Sequence, residues 1–194
     1  MADEKPILPY VDIDKLEANT SVIYALDASL RITYCNAAWD RFAESNGGDR
    51  LKREDVIGTD VMAIIAEPLQ SFYSDGFNRA YESHEPWEHD YECSSPEVSR
   101  FFHMRVLPLA NGHLLIENSL IVERTHDPER LRMPPIETMY RDSHGLIQMC
   151  AHCRRSRRIV QSAPVWDWVP AFVRDRPHQT SHGLCENCRA YYFG

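Results

Sequence analysis

Long apolar runs are missing from this 194-residue chain. The longest are short, such as Val61-Met62-Ala63-Ile64-Ile65-Ala66, and none approaches the ~20 residues of a membrane helix. No apolar signal core follows the polar opening MADEKP, so a soluble, cytoplasmic protein without membrane attachment is expected. The catalytic signatures are absent too: no Gly-rich phosphate loop, no His-Glu-x-x-His and no Gly-x-Ser-x-Gly. Histidines and carboxylates are present, but no spacing makes them a catalytic set, and a non-enzymatic protein is expected. Composition excludes wholesale disorder, with 43% hydrophobic and 26% charged residues and a mean hydropathy of −0.45.

Charge is divided unevenly. The net −8 resolves into −11 over residues 1–126 and +3 over residues 127–194. Such a sign change suggests two units with different partners. The acidic body argues against broad nucleic-acid binding by the larger part. The basic tail remains open to it.

Hydrophobic periodicity orders the first unit. Residues 10–19 read as a lead-in helix, and 21–26 and 31–35 as a strand hairpin. Asn36 can cap a helix that places Trp39, Phe42 and Ala43 on one face. A short helix over 59–66, capped by Thr59 or Asp60, precedes a longer one from Pro68. That longer helix carries the stripe Leu69, Phe72, Tyr73, Phe77, Ala80 and Tyr81. Three strands follow, at 87–93, 101–107 and 114–122. In the first of them Trp87, His89, Tyr91 and Cys93 share a face; in the second Phe102, Met104 and Val106 do. Strands, then helices, then strands indicate an α+β domain with an antiparallel sheet covered by helices.

This order, with Ile23-Tyr24-Ala25-Leu26-Asp27, then Arg31-Ile32-Thr33-Tyr34-Cys35-Asn36-Ala37-Ala38-Trp39 and the turn Asp55-Val56-Ile57-Gly58-Thr59-Asp60, resembles the PAS sensor domain over about residues 20–124. The resemblance implies a five-stranded sheet cupped by helices around a small cavity, and a role in sensing or protein contact. Its cavity would be lined by Trp39, Phe42, Phe72, Phe77, His89, Tyr91, Phe102 and Met104, around a ligand the sequence does not name. His89 is the candidate for holding a haem iron or a ligand polar group; a core or solvent-facing histidine is the alternative. The flavin-adduct signature Asn-Cys-Arg-Phe-Leu is absent, since Cys35 precedes Asn36, so a photosensor is disfavoured.

Residues 125–139, with Pro128, Pro134 and Pro135, read as a linker between the sensor-like domain and a tail at 140–194; residues 1–19 form the lead-in. The tail holds two Cys-x-x-Cys pairs, Cys150/Cys153 and Cys185/Cys188. Each supplies two sulfurs from one turn, so two segments suffice for a closed tetrahedral Zn²⁺ site of structural type. A segment this small needs such a staple. Covalent haem is excluded because Arg154 and Arg189 stand where Cys-x-x-Cys-His needs histidine. A thiol redox switch and replacement of one cysteine by His152 or His182 stay open. Arg154, Arg155, Arg157 and Arg158 form a basic patch that would offset the charge of a four-thiolate zinc, contact nucleic acid, or simply face solvent. Within the gap, Trp166, Val169, Phe172 and Val173 are expected to form an apolar face near the metal. Through Met149–Arg155, Trp166, Val169 and Ser181-His182-Gly183-Leu184-Cys185 to Cys188, the tail resembles a four-cysteine, zinc-ribbon-like module of bacterial PAS and receiver signalling proteins. A separate signalling partner (kinase, receiver or transcription regulator) is expected, and the PAS resemblance implies pairing of copies through the lead-in helix.

Overall fold

The structure, a computed structural model, describes residues 11–127, 129–159 and 163–194. Residues 1–10 of the lead-in and Pro128 of the linker lie outside the described residues. The lead-in helix α1 is shorter than its pattern, Ile13–Ala18, with Asp12 as its N-cap. Strands β1 (Val22–Leu26) and β2 (Ile32–Cys35) form the expected hairpin. Helix α2 (Ala37–Ser45) starts at Asn36, whose side chain accepts from Trp39 N. Helices α3 (Arg53–Val56) and α4 (Val61–Ile64) follow, the latter capped by Asp60. Then come α5 (Glu67–Ser83) and strands β3 (Trp87–Glu92), β4 (Val98–Pro108) and β5 (Leu114–Thr125).

These five strands make one sheet in the order β2-β1-β5-β4-β3. First and last strands meet at its centre: Val22 to Leu26 of β1 run antiparallel to Asn118 to Leu114 of β5. Alternation along the strands puts Phe102, Met104 and Val106 in the core, as their period requires. The face carrying Ile23, Ala25, Tyr34 and Leu115 is covered by Val11, Ile13 and Leu16 of the lead-in.

The tail builds a second sheet. Its strands are β6 (Ile147–Cys150), β7 (Ser156–Arg158), β8 (Val165–Asp167) and β9 (Thr180–Gly183), in the order β8-β7-β6-β9. Helix α6 (Pro170–Arg174) lies between β8 and β9, and α7 (Glu186–Phe193) follows β9. Pairing of β6 with β9 is parallel and sets Cys150 opposite Gly183. Buried Tyr140, Ile147, Met149, Val169 and Phe172 form the core here, with Met133 and Met139 of the linker packed on it. The linker is therefore part of the fold it leads into.

Packing density divides the chain into two compact units. One comprises Met1–Ile65, Tyr73–Asp90 and His103–Leu120; the other comprises Ala66–Phe72, Tyr91–Phe102 and Ile121–Gly194. Strands β3, β4 and β5 thus contribute residues to both. Among the described residues no helix is long and apolar enough to cross a membrane.

Candidate metal centre

Backbone geometry brings the two cysteine pairs together. Cys150 ends β6, and Cys153 closes the turn before β7. Cys150 N donates to Arg155 O at 2.8 Å, and Arg154 N to Cys150 O at 3.1 Å. Arg154 takes the left-handed conformation, φ 61°, that lets the chain turn back. Ala151 N donates to Gly183 O at 2.8 Å, fastening this turn to the end of β9. Two residues on, Cys185 is the N-cap of α7, and Cys188 lies in its first turn. The second pair therefore stands at a helix N-terminus, where backbone N–H groups and the helix dipole favour negative charge.

The four sulfurs lie within 4.8 Å of one another, and all four cysteines are buried. Cys153 Sγ is 3.8 Å from Cys185 Sγ, across the two pairs. A tetrahedron with metal–sulfur bonds of ~2.3 Å has an edge of about 3.8 Å, so this spacing suits zinc. Cys185 N also donates to Cys150 Sγ at 3.5 Å. Trp166 and Leu184 pack against the group. Hydrogen bonds from Cys153 and Cys188 hold the Cys150 thiol far below its ordinary range; the same bonds push Cys188 upward and Cys153 up to about 12. A dication at the centre would favour the thiolate form of the cysteines that hold it.

The histidines do not join the group. His152 Nδ1 lies 2.8 Å from the Tyr192 hydroxyl, and burial, followed by like charge from Arg154, lowers its proton affinity. His182 is lowered by burial and then by Arg176 and Arg154. The basic patch is also divided. Arg158 makes a two-pronged ion pair with Asp167, Nε to Oδ2 at 2.7 Å and Nη2 to Oδ1 at 2.8 Å. Tyr140 donates to the same carboxylate at 3.0 Å, and burial followed by that bond pushes the phenol up to about 12. Arg157 reaches Gln148 at 3.3 Å. The apolar segment of the gap splits as well: Trp166 turns to the cysteines, whereas Val169 and Phe172 enter the core around Tyr140.

No protein-family model matches the chain, and no curated protein does. Solved structures resemble it over roughly half its length. A domain of an HTR-like protein from Haloarcula marismortui is 14% identical with a TM-score of 0.41, covering 54% of this chain and 100% of that one. The PAS domain of the RpfR quorum-sensing receptor from Cronobacter turicensis, in complex with C12:0, is 22% identical with a TM-score of 0.42, covering 54% and 96%. The PAS domain of Bordetella pertussis BvgS is 18% identical with a TM-score of 0.43, covering 57% and 84%.

Ring contacts and burial place the residues expected to line a ligand cavity. Phe77, 1% exposed, lies with Tyr73, Trp87 and His89. His89 stacks on Trp87 with centroids 5.9 Å apart and planes 13° apart, and Tyr73 meets it edge-on at 6.2 Å. Trp39 instead packs on Tyr24 at 5.5 Å and donates to Leu51 O at 2.6 Å. Tyr91 stacks on Phe102 at 5.6 Å, Met104 is buried, and Phe42 is half-buried. Phe72 meets Tyr192 at 4.8 Å and Phe193 at 6.2 Å. A depression of about 480 Å³ opens elsewhere, between Tyr81 and His84 on one side and Pro108 to Ala110 and Gly112 on the other. Sequence periodicity carried no signal for that site.

Proposed function

We propose that the chain is a non-enzymatic sensory and regulatory module: a PAS-type domain over residues 20–124, a connection over 125–139, and a tail over 140–194 stapled by zinc. The observation that carries the reading is the cysteine group, four buried sulfurs within 4.8 Å, although Cys185 stands 35 residues beyond Cys150. Support for the sensory half is the strand order β2-β1-β5-β4-β3 with α2 to α5 inserted between β2 and β3. That is the sheet-and-helix arrangement the sequence resemblance implies. Zinc bound by Cys150, Cys153, Cys185 and Cys188 would supply folding energy rather than chemistry, because four protein ligands leave no position for water or substrate.

On this reading the signal passes by protein contact to a separate signalling protein (kinase, receiver or transcription regulator), with pairing of copies as the alternative route. Nucleic-acid binding is less well supported, since Arg158 is committed to Asp167 and Arg157 bonds within its own sheet. Metal analysis and an absorption spectrum of the same natively purified sample test the reading. One zinc per chain, lost in Cys150→Ser or Cys185→Ser, with no visible band, is expected. A haem or flavin band would replace the colourless sensor by a cofactor-bound one and make His89→Ala the next variant. Absence of zinc with reversibly oxidisable thiols would overturn the tail assignment.

A further inference from the structure

Among the described residues of the tail, three buried side-chain polar atoms have no hydrogen-bond partner: Ser156 Oγ, Trp166 Nε1 and Trp168 Nε1. An indole N–H only donates, so when sealed from water it is costly unless an acceptor stands against it. The surroundings of the three differ. Ser156 lies opposite Met149 of β6 and Asp167 of β8, and Met149 belongs to the core around Tyr140. Trp168 is 3% exposed; Arg130 Cζ lies 3.9 Å from its ring centroid, and the His126 ring meets it at 4.9 Å. Trp166 packs on the cysteine group.

Strand register accounts for that placement. Trp166 pairs with Arg157 across β8 and β7, and Arg157 reaches Gln148 of β6 at 3.3 Å. Gln148 and Cys150 are two residues apart on β6 and share a face. Trp166 and Cys150 thus belong to one face of the tail sheet, with Met149, Ser156 and Asp167 on the other. The Trp166 N–H meets no oxygen acceptor, and its ring packs against sulfurs. Leu184, the other side chain packed there, has no donor to offer. From the backbone, Cys150 Sγ accepts Cys185 N at 3.5 Å. A thiol sulfur is a weak acceptor, whereas a thiolate takes a charge-assisted bond. Four thiolates outweigh one dication, so a loaded site keeps negative charge on sulfur. Outer donors steady that charge and orient the ligands.

Resting on the zinc reading above, we infer that Trp166 is a positioning residue of the metal centre: its indole N–H donates to a metal-bound sulfur and so helps hold the metal. The thiol protons leave to solvent as the metal enters, and the buried N–H then faces an acceptor strong enough to satisfy it. The same bond ties β8 to the cysteine group. A ring of similar shape without the N–H would keep the packing and lose the hold on the metal.

The test uses the full chain labelled with ¹⁵N and loaded with ¹¹³Cd, which thiolate sites accept in place of zinc. Metal analysis of the sample comes first. With metal bound by the cysteines, the indole proton of Trp166 should show scalar coupling to ¹¹³Cd through the sulfur it donates to. The indole proton of Trp168, buried but packed against His126 and Arg130, should show none and serves as the internal reference. Trp166→Phe removes the donor and keeps an aromatic ring; in competition with a chelator it should bind zinc at least about tenfold more weakly than the unaltered chain. Should that variant fail to fold, the coupling in the unaltered chain decides alone. With metal bound by the cysteines, a Trp166 indole proton without coupling, or a folded Trp166→Phe chain that binds zinc as tightly as before, overturns the inference and leaves the zinc reading standing. A chain that binds neither zinc nor cadmium overturns both.

Discussion

Asn36 shows how much one side chain can organise. It is fully buried and all its polar capacity is used. Oδ1 accepts from Ile23 N at 3.1 Å and Trp39 N at 3.2 Å; Nδ2 donates to Leu16 O at 3.0 Å and Ser21 O at 2.9 Å. It therefore caps α2 and ties α1 and the entry to β1 onto it. Sequence shows only the cap, because an Asn before a helical stripe is a local signal. The other three bonds depend on chain returning from elsewhere. Asn36→Ala should destabilise the fold by about 3 kcal/mol, more than a cap alone contributes, since three backbone groups besides the capped Trp39 N lose their partner. Asn36→Asp, ordinarily an acceptable cap, should be at least as damaging: it sets a carboxylate against two carbonyl oxygens. Urea midpoints of the two variants check this, and an Asp variant of wild-type stability would contradict it. Cys35 beside it is pushed up to about 12 by burial and then by Asp40. It should therefore resist thiol reagents in the native state.

At the scale of elements, α5 tests the periodicity argument. Leu69, Tyr73, Phe77 and Ala80 of its predicted stripe are buried, whereas Tyr81 is 51% exposed and Phe72 turns to the aromatic end of α7. The stripe in sequence is wider than the buried face. Periodicity marks apolar positions without saying which of two neighbours will meet which partner. Helix α3 left no signal at all, because four residues without a side-chain cap carry too little pattern. A different constraint fixes how α5 approaches the sheet: a Cβ on Gly76 would fall 2.6 Å from the Trp87 indole. Gly76→Ala should cost about 1–3 kcal/mol and alter the near-ultraviolet dichroism of Trp87, the indole having to leave its stack with His89. An unchanged spectrum and midpoint would mean that α5 can shift freely.

The junction of α1, α2 and α3 carries an ionic hub. Arg53 pairs with Asp40 at 2.5 Å and Glu17 at 3.3 Å, and Glu17 also accepts from Tyr34 and Ala37 N. Burial raises the Asp40 carboxyl, but hydrogen bonds from Arg53 outweigh it and leave the group below the usual carboxylate range. A depressed acid contributes stability above its unfolded value and loses it as pH falls through its folded one. Stability measured from neutral pH downward should decline through the carboxylate range, and Asp40→Asn should flatten that decline. An equal slope in both proteins would remove Asp40 as its source.

At the scale of the whole molecule, zinc bound as proposed would govern one unit more than the other. Chelation should expose four reactive thiols and lower the unfolding temperature of the tail, while the β1–β2 hairpin keeps its dichroic signature. Thiol titration with and without chelator, followed by a thermal scan, checks this; four thiols equally reactive before chelation would contradict it. The cysteine pairs were plain in the sequence because each is local. The parallel β6–β9 pairing was not, because three- and four-residue strands without alternation give no register. Nor does sequence show that β3, β4 and β5 feed both compact units, since unit boundaries follow packing rather than composition.

The central place of β5 also bears on synthesis. Its partner β1 leaves the ribosome roughly ninety residues ahead of it, and Asn118 must return to Val22 before the sheet has a middle. Until then the β1–β2 hairpin emerges from the exit tunnel with an open edge, exposed to any passing strand. The tail waits less: β6, β7 and β8 follow one another, and β9 returns to β6 about thirty residues after it. Chains stalled before Leu114 should accordingly be the ones that chaperones retain.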